Sequence, residues 1–214
     1  MAILLLAAFA LRFYRIEAQP LGLWYDEAYN GLWARLMNKD PLFRPIYFDS
    51  TNLPAHFVVL VAWAFRLFGE SVAALRLVSA VFGVLTVWAA YLLVRDFFGV
   101  QMGLVSAFIL AVSHWNVNFS RLGMYGMTTP FFMLLVAYFI NRGMRSQRRL
   151  DFALAGVSLG LGLCFYISYL LYLFVIAFLF LHILIVKGDL FRGYGLHITI
   201  LAIAALLAVA PVGL

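Results

Sequence analysis

The sequence predicts an all-α fold, a polytopic bundle of transmembrane helices, from its composition and from the pattern of its apolar runs. Hydrophobic residues make up 66% of the chain and charged residues only 11%, and the mean hydropathy is +1.01. Soluble domains are about half apolar and about a quarter charged. The apolar residues fall into runs long enough to cross a bilayer as helices. These runs lack the apolar–polar alternation expected of strands in a membrane barrel.

Seven apolar segments are predicted to span the membrane, and residues 1–214 are predicted to form a single transmembrane domain. Arg12 and Arg15 end the first segment, and we expect their side chains to extend toward lipid headgroups. Leu214 falls within the last segment, so we expect the full-length protein to continue beyond it. The predicted segments are residues 3–15, 72–94, 100–119, 122–140, 150–165 and 169–186, and the run from residue 196 onward.

Residues 53–68 form an apolar segment whose relation to the membrane is ambiguous. Pro54 suits a first helical turn and Gly69 suits a helix end, so a helix is predicted. Its 16 residues would extend about 24 Å, against about 30 Å of hydrocarbon in a bilayer. The segment also carries His56 and Arg66. It either spans the membrane or lies in the interface.

The distribution of basic residues decides between these two positions. If the first helix runs outward and residues 53–68 do not cross, all three basic loops lie in the cytoplasm, as the positive-inside rule prefers. If residues 53–68 cross, all three loops lie outside. We therefore predict a juxtamembrane helix at the outer interface, within one external region, residues 17–71, that holds six of the nine acidic residues. The basic loops contain Arg95, residues 142–149, and Lys187 with Arg192.

Within this external region, the stretch 23–29 (LWYDEAY) places Asp26 beside Glu27. Two interpretations of Asp26 are open. In the first, Asp26 caps a helix that begins at Glu27, because its carboxylate accepts hydrogen bonds from the free N–H groups. In the second, the carboxylate is catalytic and accepts a proton from an attacking hydroxyl group.

Further polar side chains are predicted on the same side of the membrane. Asn52 and His56 lie near the start of the juxtamembrane helix, and Arg121 lies in a second external turn, residues 120–128. An arginine at this surface would offset the charge of a phosphate leaving group. The stretch 113–118 (SHWNVN) either lines a polar cavity or anchors a helix end in the interface.

Several other kinds of chemistry find no support in the sequence. No glycine-rich phosphate loop is present in a strand-to-helix context. The four histidines are too scattered for a zinc motif, and the single Cys164 provides no disulfide framework. The net charge of +6 is typical of cytoplasmic loops and lipid phosphate contacts in a membrane protein, so no nucleic-acid partner is predicted.

The sequence resembles GT-C glycosyltransferases of the dolichyl-phosphate-mannose–protein mannosyltransferase type, a group to which the aminoarabinose transferases of lipid A belong. The resemblance covers most of the chain up to about Ile140, and the Asp-Glu pair in the first external loop is its most specific part. The matching stretches are residues 11–15 (LRFYR), 23–29 (LWYDEAY), 66–71 (RLFGES), 75–77 (LRL), 95–99 (RDFFG) and 120–122 (SRL).

This resemblance implies a membrane glycosyltransferase that takes a sugar from a polyprenyl-phosphate-linked donor. Transfer would occur on the outer side of the membrane, with inversion at the anomeric carbon, to a hydroxyl of a protein, lipid or glycan acceptor. Asp26 would be the catalytic base or orient the acceptor, and Glu27 would be its catalytic partner. The substrate-binding residues would be Tyr25, Asn52, His56 and Arg121. The compact loops favour the plasma (inner) membrane of a prokaryote.

The chain departs from the family pattern at two places. The family's charged residue before a Pro-Pro pair is missing, since the matching stretch is Thr51 to Ala55 with one proline. An acid expected after Ser120-Arg121 is replaced by residues 124–127 (MYGM), which leaves the ligands of a possible divalent metal undefined.

Two other functions remain open at the level of sequence. One is a non-catalytic transporter or flippase of lipid-linked substrates, which would carry ionisable residues in mid-span and paired broken helices. The other is a structural subunit in which Asp26 only caps a helix.

Overall fold

The structure is a computed structural model that describes residues 1–48, 53–187 and 190–213. It confirms the predicted all-α class. A two-residue antiparallel ladder, β1 with β2, is the exception to helix within the described residues. The helices are α1 (Ala2–Phe13), α2 (Tyr25–Lys39), α3 (His56–Phe68), α4 (Val72–Phe98), α5 (Val100–Val112), α6 (His114–Ser120), α7 (Thr128–Ser146), α8 (Arg149–Phe165), α9 (Leu170–Lys187) and α10 (Leu190–Gly213), and the strands are β1 (Tyr47–Phe48) and β2 (Leu53–Pro54).

The predicted spans differ in how well their length matches a bilayer. Among the described residues, three helices are long and apolar enough to cross, namely Val72–Phe98, Ile167–Val186 and Gly193–Ala210. The pair α5 and α6 passes the same test together but is bent by 59°. The helices α1 and α3 are apolar but shorter. The count of seven spans stays a prediction.

The helix α4 is the central element of the bundle, because it packs against α1, α3, α5, α6 and α7. Ser71 caps its first turn by accepting a hydrogen bond of 3.1 Å from the backbone N–H of Ala74. Gly69 ends α3 with φ of +84°, a conformation that favours glycine. The predicted helix stop at Gly69 is confirmed.

The two ends of α4 carry different polar groups. Arg76 lies near its start, and its partners belong to the connection between α1 and α2 and to α2 itself. Near its end, Asp96 pairs with Arg145 of α7 at 3.7 Å and accepts a hydrogen bond from Asn141. These two positions are 20 residues apart, or about 30 Å of helix. The basic residues of the loop 142–149, which include Arg145, and the Asp-Glu stretch therefore lie at opposite ends of the bundle.

The helices α8 and α10 approach each other closely through small residues, as the spacing of two glycines predicts. A Cβ atom added at Gly156 would clash with the carbonyl oxygen of Leu201, and one at Gly160 would clash with that of Ala205. This close packing holds α8 and α10 together.

The segment 100–119, predicted to be one span, is broken at Ser113 into α5 and α6. The next helix, α7, begins at Thr128 and not at the predicted residue 122. No proline or glycine lies between residues 104 and 122, so no helix-breaking residue marks Ser113. The residues 121–127 form a turn between α6 and α7, with one turn of 3₁₀ helix at Tyr125–Met127.

Arg12 lies at the break and is fully buried, so the expectation that it extends toward lipid headgroups is wrong. Its guanidinium donates to the carbonyl oxygens of Ala8 at 3.0 Å, Ala111 at 3.2 Å and Leu110 at 3.4 Å, and to Oδ1 of Asn116. The last four carbonyls of a helix lack partners within it, and the end of α5 offers two of its own to Arg12.

A labelling experiment tests the predicted orientation of the bundle. In a Cys164→Ala background, the Lys39→Cys variant should react with a membrane-impermeant maleimide in intact cells, because residues 17–71 are predicted to lie outside. The Arg148→Cys variant should react only after permeabilisation, because its loop is basic. Both side chains are exposed in the structure. The reverse pattern would contradict the orientation.

Candidate active site

The helix α2 begins at Tyr25, two residues earlier than the capping interpretation requires. Its N-cap is Trp24, and Oε2 of Glu27 accepts a hydrogen bond of 3.0 Å from the Trp24 backbone N–H. Glu27 therefore supplies the capping contact, and the interpretation of Asp26 as the cap is wrong. Asp26 is exposed, and its carboxylate accepts no hydrogen bond from any residue that the structure describes. Its place in the first turn still suits a negative charge.

Glu27 is fully buried in an ion pair with Arg76 of α4. The Nε atom of Arg76 lies 2.8 Å from Oε1 of Glu27, and its Nη2 atom lies 3.2 Å from Oε2. The backbone N–H of Gly123 donates to Oε1 at 2.8 Å. A buried pair of this kind is held by its geometry and its extra hydrogen bonds, since both ions have lost their water.

The remaining N–H groups of Arg76 hold the connection between α1 and α2. Nη1 donates to the carbonyl oxygens of Ile16 and Pro20, each at 3.0 Å, and Nη2 donates to that of Gly22 at 2.6 Å. The planar fork of an arginine can serve this many acceptors at fixed angles, which a lysine cannot. Arg76 and Glu27 together thus fix the segment that leads into Asp26.

The turn 121–127 is also fixed from α2. Asn30 is buried one turn after Asp26, and its Nδ2 donates to the carbonyl oxygen of Gly123 at 2.8 Å. The N–H of the same glycine is held by Glu27. On the other side of the turn, Ser79 of α4 lies 3.1 Å from both the N–H and the carbonyl oxygen of Met124.

Asp26 lines a cavity of about 810 Å³ between α2, the α5–α6 break and the turn 121–127. This volume lies within the range of about 300–1,000 Å³ found for small-molecule sites. Asp26 is the one ionisable acid among the described lining residues, and that lining includes no lysine, arginine or histidine. The aromatic members of the lining are Tyr25, Tyr29, Trp33, Trp115, Phe119, Tyr125 and Tyr166, and the amides are Asn30 and Asn116.

Tyr125 brings a buried hydroxyl group to this cavity. Its side chain is 5% exposed, and its hydroxyl has no hydrogen-bond partner among the described residues. The residue lies in the turn before α7, where burial raises the pKa of Tyr125 above its usual value and the charge of Asp26 raises it further. The phenol is therefore protonated at neutral pH and can donate a hydrogen bond to a ligand.

The predicted site residues are only partly brought together. Tyr25 and Asp26 line the cavity, whereas Glu27, His56 and Arg121 do not, and Asn52 lies outside the described residues. The role of each in substrate binding or catalysis stays a prediction.

Arg121 and His56 have surroundings of their own. Arg121 donates to the carbonyl oxygens of Leu11 at 3.2 Å and Tyr14 at 2.6 Å, so it caps the end of α1. Burial lowers the pKa of His56 below its usual value, so the imidazole is neutral at pH 7, and its ring centroid lies 6.2 Å from that of Phe165. Neither side chain shares a ligand surface with Asp26.

Sequence reasoning missed two polar cavity residues, Asn30 and Tyr125. Asn30 follows Asp26 by four residues, and side chains at this spacing lie on the same helix face, so the helical period could have found it. Asn116 belongs to the stretch 113–118, for which a polar cavity was one of two interpretations. Ser113, Trp115 and Asn116 do line the cavity.

No cluster of three or more His, Cys, Asp or Glu residues lies in a geometry to hold a metal ion, among residues 1–48, 53–187 and 190–213.

These helices and this cavity define a helical membrane protein with a polar site at one end of its bundle. Residues 54–214 match the family described as dolichyl-phosphate-mannose-protein mannosyltransferase, and the chain belongs to that family. The predicted resemblance is confirmed. No curated protein gives a significant match.

A solved structure has the same fold as this chain. The crystal structure of ArnT from Cupriavidus metallidurans bound to undecaprenyl phosphate superposes with a TM-score of 0.74 at 17% sequence identity. The match covers 99% of this chain and 40% of ArnT. The chain thus spans less than half the length of ArnT.

Removal of one partner from the buried ion pair should destabilise the protein. We expect Glu27→Gln to lower the free energy of unfolding by about 3 kcal/mol, because it leaves the Arg76 charge buried without its counter-ion. The matched control is Glu70→Gln, which breaks the half-exposed pair of Arg35 and Glu70 and should cost less than about 1 kcal/mol. Denaturant unfolding of the purified protein measures both, and equal losses would contradict the role given to burial.

Proposed function

We propose that this chain forms the transmembrane catalytic part of a glycosyltransferase. The donor is a sugar linked to polyprenyl phosphate, and the acceptor is a hydroxyl group of a protein, lipid or glycan. Transfer takes place on the outer side of a prokaryotic plasma membrane. The observation that carries the proposal is the Asp26 carboxylate, which lines a cavity of suitable size and is not engaged by the described protein groups.

Asp26 accepts the proton of the acceptor hydroxyl as its oxygen attacks the anomeric carbon. The bond from that carbon to the phosphate oxygen breaks, and the polyprenyl phosphate leaves with the electron pair. General-base help of this kind contributes about 10²–10⁴-fold to a rate. A carboxylate that makes no internal hydrogen bond is free to take this proton.

Inversion is favoured by the number of acids at the cavity. A retaining glycosyl transfer needs one carboxylate as nucleophile and a second group as acid and base. Within the described lining, Asp26 is the one carboxylate. A single displacement, with inversion at the anomeric carbon, needs no second one.

A polyprenyl-phosphate donor is supported by family membership and by the ligand of the similar ArnT structure, which is undecaprenyl phosphate. The outer location is supported by the charges, since the basic cluster near Asp96 and the cavity lie at opposite ends of α4. Glu27 does not line the cavity. It supports the reaction indirectly, because it holds the start of α2 and the turn 121–127 in place.

A transporter of lipid-linked substrates is the second candidate. The buried Arg12 and the 59° break between α5 and α6 favour it, because transporters place ionisable groups at broken helices. The two functions differ in covalent chemistry, since a transporter leaves the bond between sugar and phosphate intact.

The Asp26→Asn variant is expected to lose about 10²–10⁴-fold of sugar transfer, because an amide cannot take the proton. Transfer is measured with purified protein, radiolabelled polyprenyl-phosphate sugar, and peptide, lipid and glycan acceptors. The control is Asp40→Asn, which removes an exposed acid outside the cavity and should retain activity. Normal transfer by Asp26→Asn would rule out Asp26 as base, and intact donor in all wild-type reactions would favour the transporter.

The Tyr125→Phe variant is expected to lower kcat/KM for transfer by about 10-fold or more, because it removes a donor from the cavity wall. The matched control is Tyr169→Phe, since the hydroxyl of Tyr169 is also buried and without a partner among the described residues but lies outside the cavity lining. Steady-state kinetics on both variants check this. Equal losses of kcat/KM in the two variants would show that the Tyr125 hydroxyl contributes no more to transfer than the hydroxyl of Tyr169, which lies outside the cavity lining.

A further inference from the structure

We propose that Asn116 binds the phosphate group of the lipid-linked donor and that Arg12 positions Asn116 for this contact. The proposal rests on the function proposed above, and it names a phosphate subsite within the same cavity. Asn116 is a binding residue here, whereas Arg12, which does not line the cavity, is a positioning residue.

Arg12 carries a buried positive charge. Its side chain is fully buried, and none of the ion pairs among the described residues includes it. Its hydrogen bonds go to three carbonyl oxygens and to one amide oxygen. These neutral acceptors solvate the cation without cancelling its charge. An unpaired buried charge costs several kcal/mol, so its presence in an apolar bundle indicates a functional site.

The contact with Arg12 sets the orientation of the Asn116 amide. A guanidinium only donates hydrogen bonds, so the oxygen of the Asn116 amide must face Arg12. The NH₂ group then points away from Arg12. Because Asn116 lines the cavity, this NH₂ group is available to a ligand there. The cation behind the amide oxygen also polarises the amide and makes its N–H groups better donors.

The end of the cavity at Asn116 suits an anionic ligand. Two N–H donors in front of a buried cation favour an anion with oxygen acceptors, such as a phosphate ester. Asp26 would repel such an anion, and the described lining offers no cationic side chain to neutralise it. The α5–α6 break is therefore the end of the cavity where the phosphate is best placed. Leu110 and Phe119, also in the lining, provide apolar contacts for the first isoprene units.

This subsite would also stabilise the leaving group of the reaction. As the bond between the anomeric carbon and the phosphate oxygen breaks, negative charge grows on the leaving phosphate. Donors already fixed in place stabilise such charge without having to reorganise. Gly83 of α4 leaves the room that Arg12 needs, because a Cβ atom there would lie 2.9 Å from Nε of Arg12.

Binding of undecaprenyl phosphate and of undecaprenol to the purified full chain tests the proposal, with the fluorescence of Trp115 and the other tryptophans as the signal. The test variant is Asn116→Asp, which keeps the shape of the side chain, removes the N–H donors and pairs with Arg12, so the fold is expected to survive. Its affinity for undecaprenyl phosphate should fall by about 10- to 100-fold, while its affinity for undecaprenol stays unchanged.

The matched control is Asn118→Asp, which adds the same charge two residues along α6 at a position outside the cavity lining. Its affinity for undecaprenyl phosphate should change by no more than about twofold, since an exposed charge is screened by salt. Competition by inorganic phosphate distinguishes a lipid subsite from a general anion site. Weak competition by inorganic phosphate at millimolar concentration supports a subsite for the lipid phosphate. Tight binding of inorganic phosphate in the absence of lipid overturns that subsite.

The positioning role of Arg12 is tested by a double-mutant cycle. The Arg12→Lys variant keeps the charge but cannot serve the same four acceptors, so it should weaken binding of undecaprenyl phosphate. In an Asn116→Ala background the same change should have no further effect, because Arg12 acts through Asn116. Equal effects of Arg12→Lys in both backgrounds would show a general structural role and overturn the positioning.

Three results would overturn the phosphate site. These are wild-type affinity of Asn116→Asp for undecaprenyl phosphate, an equal loss of undecaprenol binding in that variant, and a wild type that does not prefer the phosphate over the alcohol. The measurement is independent of turnover. Phosphate-selective binding through Asn116 in a protein that transfers no sugar would refute the proposed function and support this inference. Sugar transfer by the wild type, together with unchanged binding of undecaprenyl phosphate by Asn116→Asp, would support the proposed function and refute this inference.

Discussion

The buried ion pair of Glu27 and Arg76 is the interaction on which the geometry of the site depends. It joins the connection after α1 and the start of α2 to two parts of the chain that are distant in sequence, α4 and the turn 121–127. Each charge has lost its water, so the pair is stable only while every remaining donor and acceptor is satisfied. The contacts to backbone carbonyls and to the Gly123 N–H meet that condition. The pair thus specifies one arrangement of these segments.

The adjacent acids of the Asp-Glu motif have separate tasks for a geometric reason. Consecutive residues of a helix project about 100° apart, so one carboxylate can enter the protein while its neighbour enters the cavity. Glu27 faces α4 and contributes to the framework, and Asp26 faces the cavity. The two acids look like a catalytic pair in the sequence. In the structure, Glu27 is buried in an ion pair and Asp26 is exposed. The two acids should therefore respond differently to mutation, one in stability and the other in chemistry.

The sequence was sufficient for the fold class and for the end of α3 at Gly69, because composition and a glycine stop decide these. The start predicted at Pro54 is wrong, since α3 begins at His56 and Pro54 belongs to β2. The sequence could not show which arginine would pair with Glu27. Arg76 lies within an apolar run and Arg121 in a turn, and only the packing of α4 against α2 selects the first. The break at Ser113 was also out of reach, since its stabilising partner, Arg12, is about a hundred residues away. Long-range contacts of this kind leave no local pattern.

The peptide groups of Gly123 have a mechanical consequence for the cavity. Its N–H is held by Glu27 and its carbonyl by Asn30, both on α2. Two hydrogen bonds from one helix to one residue restrain both rotation and sliding of that residue, so the turn that bears Tyr125 is coupled to α2. Asp26 and Tyr125 therefore keep their relative positions if either segment is displaced.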